Sequence, residues 1–319
     1  MRTKCEADTA WAARYKSAMT GVSFIVTVYN KAPYVPAAIN AILAQEGDFE
    51  REVLIVDDGS TDDSPVILDR MCAGRAGVRV IHQKNQGQVA ATNTGARAAT
   101  LPWLKIVDGD DVLAPYATRV LLDAAESVGA KIAVGAMGLY NFGEPIVFDS
   151  YDPSKAVARR RDLFAECLKN CPCNLSPTLI DRALYWEAGG ADPRLFYVID
   201  TALLTRISRG RTVAGVDIVV ATGPREAPNR MSGDQRRMLI GHNQVMLHLL
   251  AETPDLSWRE RHVLLERAFG RAWKWQRRRC GASLASRWFW LYALAKLAPP
   301  GMIGHLLPMT LDAFTEASQ

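Results

Sequence analysis

The chain has 319 residues, 49% of them apolar and 23% charged, a globular composition with length for one large domain and an appendage or for two modest domains. A net charge of +4 makes no case for a nucleic-acid binder, and none is expected as a partner. The six cysteines (Cys5, Cys72, Cys167, Cys171, Cys173 and Cys280) lack the paired spacing of a zinc site and read as free thiols; with no apolar core in "MRTKCEADTAWAARYKSAMTG" to make a signal peptide, a reducing cytoplasm is the expected location.

After an extension over residues 1–20, short apolar runs alternate with helix-like segments. "VSFIVTVYN" (22–30) reads as a strand rich in β-branched residues, and "YVPAAINAILAQ" as a helix with Val35, Ile39, Ile42 and Leu43 on one face. "EVLIVDDGS" (52–60) is a second strand; "TDDSPVILDRMCAG" is a helix capped by Thr61 and Asp62 and closed at Gly74. "VRVIHQKN" (78–85), a third helix in "GQVAATNTGARAAT", and "WLKIVDGDD" (103–111) complete the series. The strands are apolar nearly throughout, as parallel strands covered on both faces are, so the alternation predicts a doubly wound α/β sheet.

Each of these strands runs into polar residues: Tyr29 and Asn30, Asp57 and Asp58, Asn85 and Gln86, Asp108 and Asp110. In open parallel sheets the ligand crevice lies outside the carboxyl ends of the strands. "DGDD" (108–111) is the densest of these ends. Clustered carboxylates repel one another and persist where a cation compensates them, and oxygen ligands favour a hard ion, Mn²⁺ or Mg²⁺. Gly109 is expected to leave room for the ligand. An EF-hand is excluded because Leu68 and Arg119 stand where the twelfth-position Glu belongs, and neither a Walker A nor a GxGxxG motif follows a strand.

Downstream, "KIAVGAMGLYNF" reads as a strand and "TLIDRALYWEAGGADP" as strand, short helix and turn. "IDTALLTRISRGRTV" reads as a helix starting near Asp200, "PREAPNRMSGDQRR" as a polar loop, and residues 235–298 as mainly helical. In the tail, Arg277 to Arg279 precede the aromatic and leucine-rich run "RWFWLYALAKL", which is interrupted too soon by Lys296, Pro299 and Pro300 to span a bilayer. It reads either as an interfacial helix making a peripheral membrane contact or as a core helix.

"VSFIVTVYNKAPYVPAAINAILAQ", "VLIVDDGSTDDS", "NQGQVAATNTGA" and "IVDGDD", in that order, resemble a family 2 glycosyltransferase of the GT-A fold. The resemblance implies a GT-A type, Rossmann-like, mostly parallel sheet with helices on both faces, plus a mainly helical C-terminal extension over 231–319. The glycosyltransferase domain would occupy 21–230, with a nucleotide-sugar half over about 21–125 and an acceptor half over about 126–230. It implies an inverting transfer from a nucleotide sugar, most readily a UDP-sugar, to a saccharide or lipid-linked acceptor in polysaccharide or glycoconjugate synthesis. By the same resemblance, Thr27 and Tyr29 frame the nucleobase, Asp58 accepts its N–H, and Asp108 lies near the ribose and sugar. Asp110, with Asp108, binds the metal that bridges the diphosphate. Asn30, Asn85, Gly87, Asn93 and Gly109 complete the donor site. Asp111 supports its neighbours or caps a helix. The catalytic base falls at Asp200, with Ile199 where relatives carry Glu. Thr92 stands where relatives often place Arg, so Arg225 and Arg230 in the polar loop are expected to cover the diphosphate. Asp192 is expected in a turn, Arg206 on an active-site acid or a helix face, and His242 in a structural role. Two alternatives remain open: a nucleotidyltransferase, which would want a Gly-rich loop with a basic residue after the first strand, and a GT-A binding or scaffold subunit without turnover.

Overall fold

A computed structural model describes residues 21–150, 158–226 and 233–315 of the chain. The N-terminal extension over 1–20 and Arg230 lie outside the described residues. In chain order the elements are Gly21–Val28 (β1), Val35–Leu43 (α1), Glu50–Asp57 (β2), Ser64–Cys72 (α2), Val78–His82 (β3), Gln88–Ala98 (α3), Trp103–Asp108 (β4), Val112–Leu113 (β5), Ala117–Val128 (α4) and Ile132–Tyr140 (β6). Then come Arg159–Arg161 (β7), Leu163–Asn170 (α5), Thr178–Asp181 (β8), Arg182–Glu187 (α6), Ile199–Ser208 (α7), Val213–Pro224 (β9), Gln235–Glu252 (α8), Trp258–Arg279 (α9), Arg287–Leu297 (α10) and Pro300–Ile303 (α11), followed by a 3₁₀ segment over Gly304–Phe314. The chain divides into two compact units. The first takes its described residues from Met1–Arg161, Cys173–Ala191 and Arg211–Ala227, the second from Asp162–Pro172, Asp192–Gly210 and Pro228–Gln319.

The first unit holds one sheet in the order β3-β2-β1-β4-β8-β6-β9-β5, with β7 also paired to β9. The four strands expected from the sequence are parallel neighbours, and β1 is buried at every position, as a central strand covered on both faces must be. On one face Phe24, Val26 and Val28 pack with Val35, Ile39, Ile42, Ile55 and Leu68. On the other, α3 approaches closely enough at Gly95 that an added Cβ would lie 2.4 Å from Ile25 Cγ2. The third strand departs from the expectation. Among the described residues β3 pairs with β2 alone, and it is half-exposed, so it is an edge strand rather than one covered on both faces. Beyond β4 the pairing changes: β8 is antiparallel to both β4 and β6, and β9 runs parallel to β6 but antiparallel to β5 and β7. The sheet as a whole is mixed.

The α2 start also differs from the sequence reading. The cap position is Asp63, which makes no side-chain cap bond. Asp62 instead accepts from the Ser64 and Ala32 amides at 2.9 and 3.0 Å, tying the α2 entrance to the loop after β1.

The second unit is helical among its described residues. Phe164, Leu168, Val198 and Ala202 pack with Val245, Met246, Leu249 and Leu264. α9 opens on a capping box in which the Ser257 amide donates to Glu260 Oε2 at 2.6 Å and the Glu260 amide to Ser257 Oγ at 3.3 Å. α10 buries Trp288 against Ala272 and Trp273 and Ala295 against Leu265 and Phe269. Among the described residues no helix is long and apolar enough to cross a membrane.

Candidate functional site

Register builds the site. Thr27 on β1 lies opposite both Val56 on β2 and Asp108 on β4, Val28 lies opposite Asp57, and Asp57 lies opposite His82 on β3. The polar strand ends therefore meet along one rim of the parallel sheet. Backbone bonds lock that rim: the Asp58 amide donates to the Val28 carbonyl at 2.8 Å and the Gly109 amide to the Thr27 carbonyl at 3.0 Å. This closeness requires Gly109, since an added Cβ would lie 2.9 Å from both the Thr27 carbonyl oxygen and Val28 Cγ2.

Asp58 is buried and heavily engaged. Its Oδ1 accepts from Gln83 Nε2 at 2.7 Å and the Gln86 amide at 2.9 Å, and its Oδ2 accepts from the Gly87 amide at 2.7 Å. A carboxylate offers about four acceptor positions, so these bonds leave room for one further donor at Oδ2. The bonds fold the loop after β3 onto the rim, and Gly87, at φ +87°, turns it into α3. Asn85 is exposed on that loop. Asn30 takes a positive φ of 52°; its amide donates to Ser60 Oγ at 2.9 Å and its Oδ1 accepts from the Thr61 amide at 2.7 Å. Tyr29, between the end of β1 and Asn30, keeps 47% of its surface exposed.

Asp108 Oδ1 accepts from Gln88 Nε2 at 2.6 Å, and its amide donates to Ser176 Oγ at 3.2 Å. Asp110 is buried, and its Oδ2 meets the Lys31 ammonium at 2.5 Å. Its backbone carbonyl accepts from Tyr140 Oη at 2.9 Å. Among the described residues no three His, Cys, Asp or Glu side chains gather as a metal cluster. Asp108 ends β4, and Asp110 follows two residues beyond it. Asp111 caps no helix; it is buried, and its charge faces the fully buried Lys105 ammonium. Burial pushes Lys105 down to about 7, against the pull of Asp111, and its ammonium donates to the Ser176 and Thr178 carbonyls.

A second polar cluster braces the rim from the side. His82 Nδ1 is 2.9 Å from Asp57 Oδ2 and Nε2 is 3.0 Å from Asp69 Oδ1, and bonds to Asp57 and then Asp69 raise the imidazole above its ordinary value.

Asn93 is tied into the turn after α6. Its Nδ2 donates to the Ala191 carbonyl at 2.8 Å, and its Oδ1 accepts from Tyr185 Oη at 2.7 Å and the Ala191 amide at 3.0 Å. The amide thus holds the turn after α6. Arg225 is exposed at the end of β9, where its amide donates to the Tyr140 carbonyl at 2.7 Å.

In the second unit, Asp200 lies inside the first turn of α7 rather than at its cap, which is Val198. Its Oδ1 accepts from the Thr201 amide at 2.7 Å, and burial pushes the carboxyl above the usual carboxylate range. Asp192 forms a turn: its Oδ1 accepts from the Arg194 amide at 3.0 Å, while the Arg194 guanidinium grips both oxygens at 2.9 and 2.7 Å. That guanidinium, foremost, holds Asp192 down to about 2, and Arg206 adds its charge at 3.8 Å. His242 is structural, with Nδ1 2.7 Å from the Met238 carbonyl.

Sequence reasoning missed Lys31, Gln88, Gln83 and Ser176. Lys31 was visible as the basic residue immediately after the first polar strand end. The other three have no local signature, since each meets its partner across 20 to 68 residues of chain.

The model of a family described as Glycosyl transferase family 2 matches residues 23–185, just over half of the 319-residue chain. The succinoglycan biosynthesis protein ExoO of Rhizobium meliloti (strain 1021) is 39% identical over 114 residues, 35% of this chain and 32% of its own. The glycosyltransferase GlyG of Streptococcus pneumoniae serotype 4 is 34% identical over 124 residues, 39% of this chain and 40% of its own. The chain thus spans between about a third and two fifths of these curated relatives. Among solved structures, S. aureus TarS 1-349 superposes with a TM-score of 0.63 at 14% identity, covering 93% of this chain and 88% of that one. The same protein in complex with UDP-GlcNAc gives a TM-score of 0.61 at 16% identity, covering 93% and 89%. These two likenesses establish a shared GT-A fold with a helical C-terminal part.

Proposed function

The chain belongs to glycosyl transferase family 2, and from that premise we propose that it is a metal-dependent, inverting glycosyltransferase. The donor is a nucleotide sugar, most readily a UDP-sugar, and the acceptor a hydroxyl of a saccharide or lipid-linked saccharide in polysaccharide or glycoconjugate synthesis. The observation that carries the reading is the register aligning Thr27, Asp57 and Asp108 at one rim, with Asp58 and Asp110 immediately beyond it. The bound UDP-GlcNAc of the TarS neighbour and the polysaccharide role in the ExoO name support the donor and product classes.

In this reading the exposed ring of Tyr29 stacks on the base beside Thr27, and the base N–H donates to Asp58 Oδ2. Asn30, Asn85 and Gly87 shape the crevice walls that Asp58 holds in place. Asp108 and Asp110 are the residues that would hold a divalent cation. The donor set fits, because Mg²⁺-type sites commonly use one or two carboxylates and complete their shell with substrate phosphate and water. A buried carboxylate already neutralised by one cation, Lys31, also suits this task. Such an ion offsets the charge that grows on the departing diphosphate. Lys31, released from Asp110, turns its ammonium to the phosphates, and Arg225 and Arg230 cover them from the polar loop. Asp200 takes the acceptor proton as the acceptor oxygen bonds to the anomeric carbon and the bond to the diphosphate breaks. Its raised proton affinity favours that role, because a base is most effective near its operating pH.

Replacement of Asp200 tests the reading. Asp200→Asn should lose at least about a hundredfold in transfer while binding UDP normally. Transfer at the parental rate would remove the base assignment. Binding without turnover in both proteins would favour the non-catalytic subunit, a reading to which Ile199 at the usual Glu position lends some weight.

A further inference from the structure

We propose that the outward face of α10 is a docking surface for a membrane bearing anionic headgroups. Trp290, Leu294 and Leu297 follow one another at helical spacing and expose 58%, 46% and 85% of their surfaces. Trp288 and Ala295 on the same helix are buried, so the element has one packed seam and one apolar stripe that meets solvent. A core helix would have no reason to keep that stripe. The apolar residues continue past both ends in Leu284 and Met302, which are also exposed.

Charge selects the partner. Residues 267–311 contain eight Lys and Arg and no Asp or Glu, whereas the whole chain has thirty-eight basic against thirty-four acidic residues. The rest of the molecule therefore carries thirty basic against thirty-four acidic residues and is net negative. The positive charge is concentrated in the segment that carries the apolar stripe: Arg277 and Arg278 are exposed at the end of α9 and Arg287 at the start of α10. A second copy docked face to face would bring the same basic segments together, which like-charge repulsion disfavours. A lipid surface offers negative headgroups to the arginines, an apolar layer to the leucines, and the interfacial depth that Trp prefers. At 11 residues α10 is far too short to span, so the contact is peripheral. Stable attachment of this kind needs an apolar and an electrostatic signal together, and this segment supplies both.

The test is flotation of the full chain with phosphatidylcholine vesicles and with vesicles that also contain phosphatidylglycerol. The wild-type protein should float with the anionic vesicles, and adding salt should weaken it. Trp290→Ser/Leu294→Ser/Leu297→Ser should bind about tenfold or more weakly, and circular dichroism should be unchanged because all three side chains are exposed. Arg277→Gln/Arg278→Gln should lose about fivefold per charge and flatten the salt dependence. Equal flotation of the wild type and the triple variant would overturn the proposal, as would equal flotation with neutral vesicles. So would a wild-type dimer in sedimentation that becomes monomeric in the triple variant without any vesicle binding.

Discussion

A carboxylate as buried as that of Asp110 needs hydrogen-bond donors or a cation to compensate it, and in this molecule the Lys31 ammonium provides one at 2.5 Å. The ammonium and a divalent ion would compete for the same oxygen. Asp110→Asn should therefore abolish the Mn²⁺-dependent part of UDP binding, a loss of at least about tenfold by calorimetry. Lys31→Met should act in the opposite sense on the ion, tightening Mn²⁺ binding measured without nucleotide while weakening UDP. Undiminished Mn²⁺-dependent affinity in Asp110→Asn would sink the metal assignment. Unchanged Mn²⁺ binding in Lys31→Met would show that the ion pair and the ion do not share an oxygen. Asp58 illustrates the limit of reading residues singly: its type and position beside a strand end are plain from the sequence, yet most of its acceptor capacity serves the loop at Gln83, Gln86 and Gly87.

At the scale of elements, His82 joins the ends of β2 and β3 to α2 through Asp57 and Asp69. These carboxylates raise the folded imidazole above its unfolded value near 6.5, so the stabilisation is fully present below that value and is lost as pH rises through the higher folded one. His82→Gln should cost about 1 kcal/mol or less at pH 6, because the imidazole is partly exposed to screening solvent, and less still at pH 9. Urea melts at the two pH values check this, and an equal or larger cost at pH 9 would exclude the ion pairs as the cause. β1, β2 and β4 were legible because continuous apolar runs admit little besides a covered strand. β3 sits at the sheet edge, and its own residues show it: Arg79 and His82 interrupt the apolar run of "VRVIH", and no position of the strand is fully buried. β8 at Thr178–Asp181 is the strand that "TLID" announces, whereas β5 has two residues, too few for periodicity to register, and is fixed by an antiparallel partner elsewhere in the chain. The bonds of Asn93 to Tyr185 and Ala191 are likewise absent from its own neighbourhood in the sequence, since those partners lie more than ninety residues away.

On the whole-molecule scale, the chain leaves and re-enters the sheet unit, so that 162–172 and 192–210 belong with the C-terminal helices while 173–191 and 211–227 belong with the sheet. The donor-site residues proposed on the described sheet, from Thr27 to Asp110, belong to one unit, and α8, α9 and α10 belong to the other. A ligand that binds only the folded crevice protects the backbone whose opening would release it, by a factor that grows with its saturation. With UDP and Mn²⁺ at about a hundred times the dissociation constant, amide exchange should slow by up to about a hundredfold at the ends of β1, β2 and β4 and in the loop over 83–87. Peptides within 258–315 should exchange as before. Protection that appeared in those C-terminal helices and spared the strand ends would move the nucleotide off the rim and take the carboxylate assignments with it.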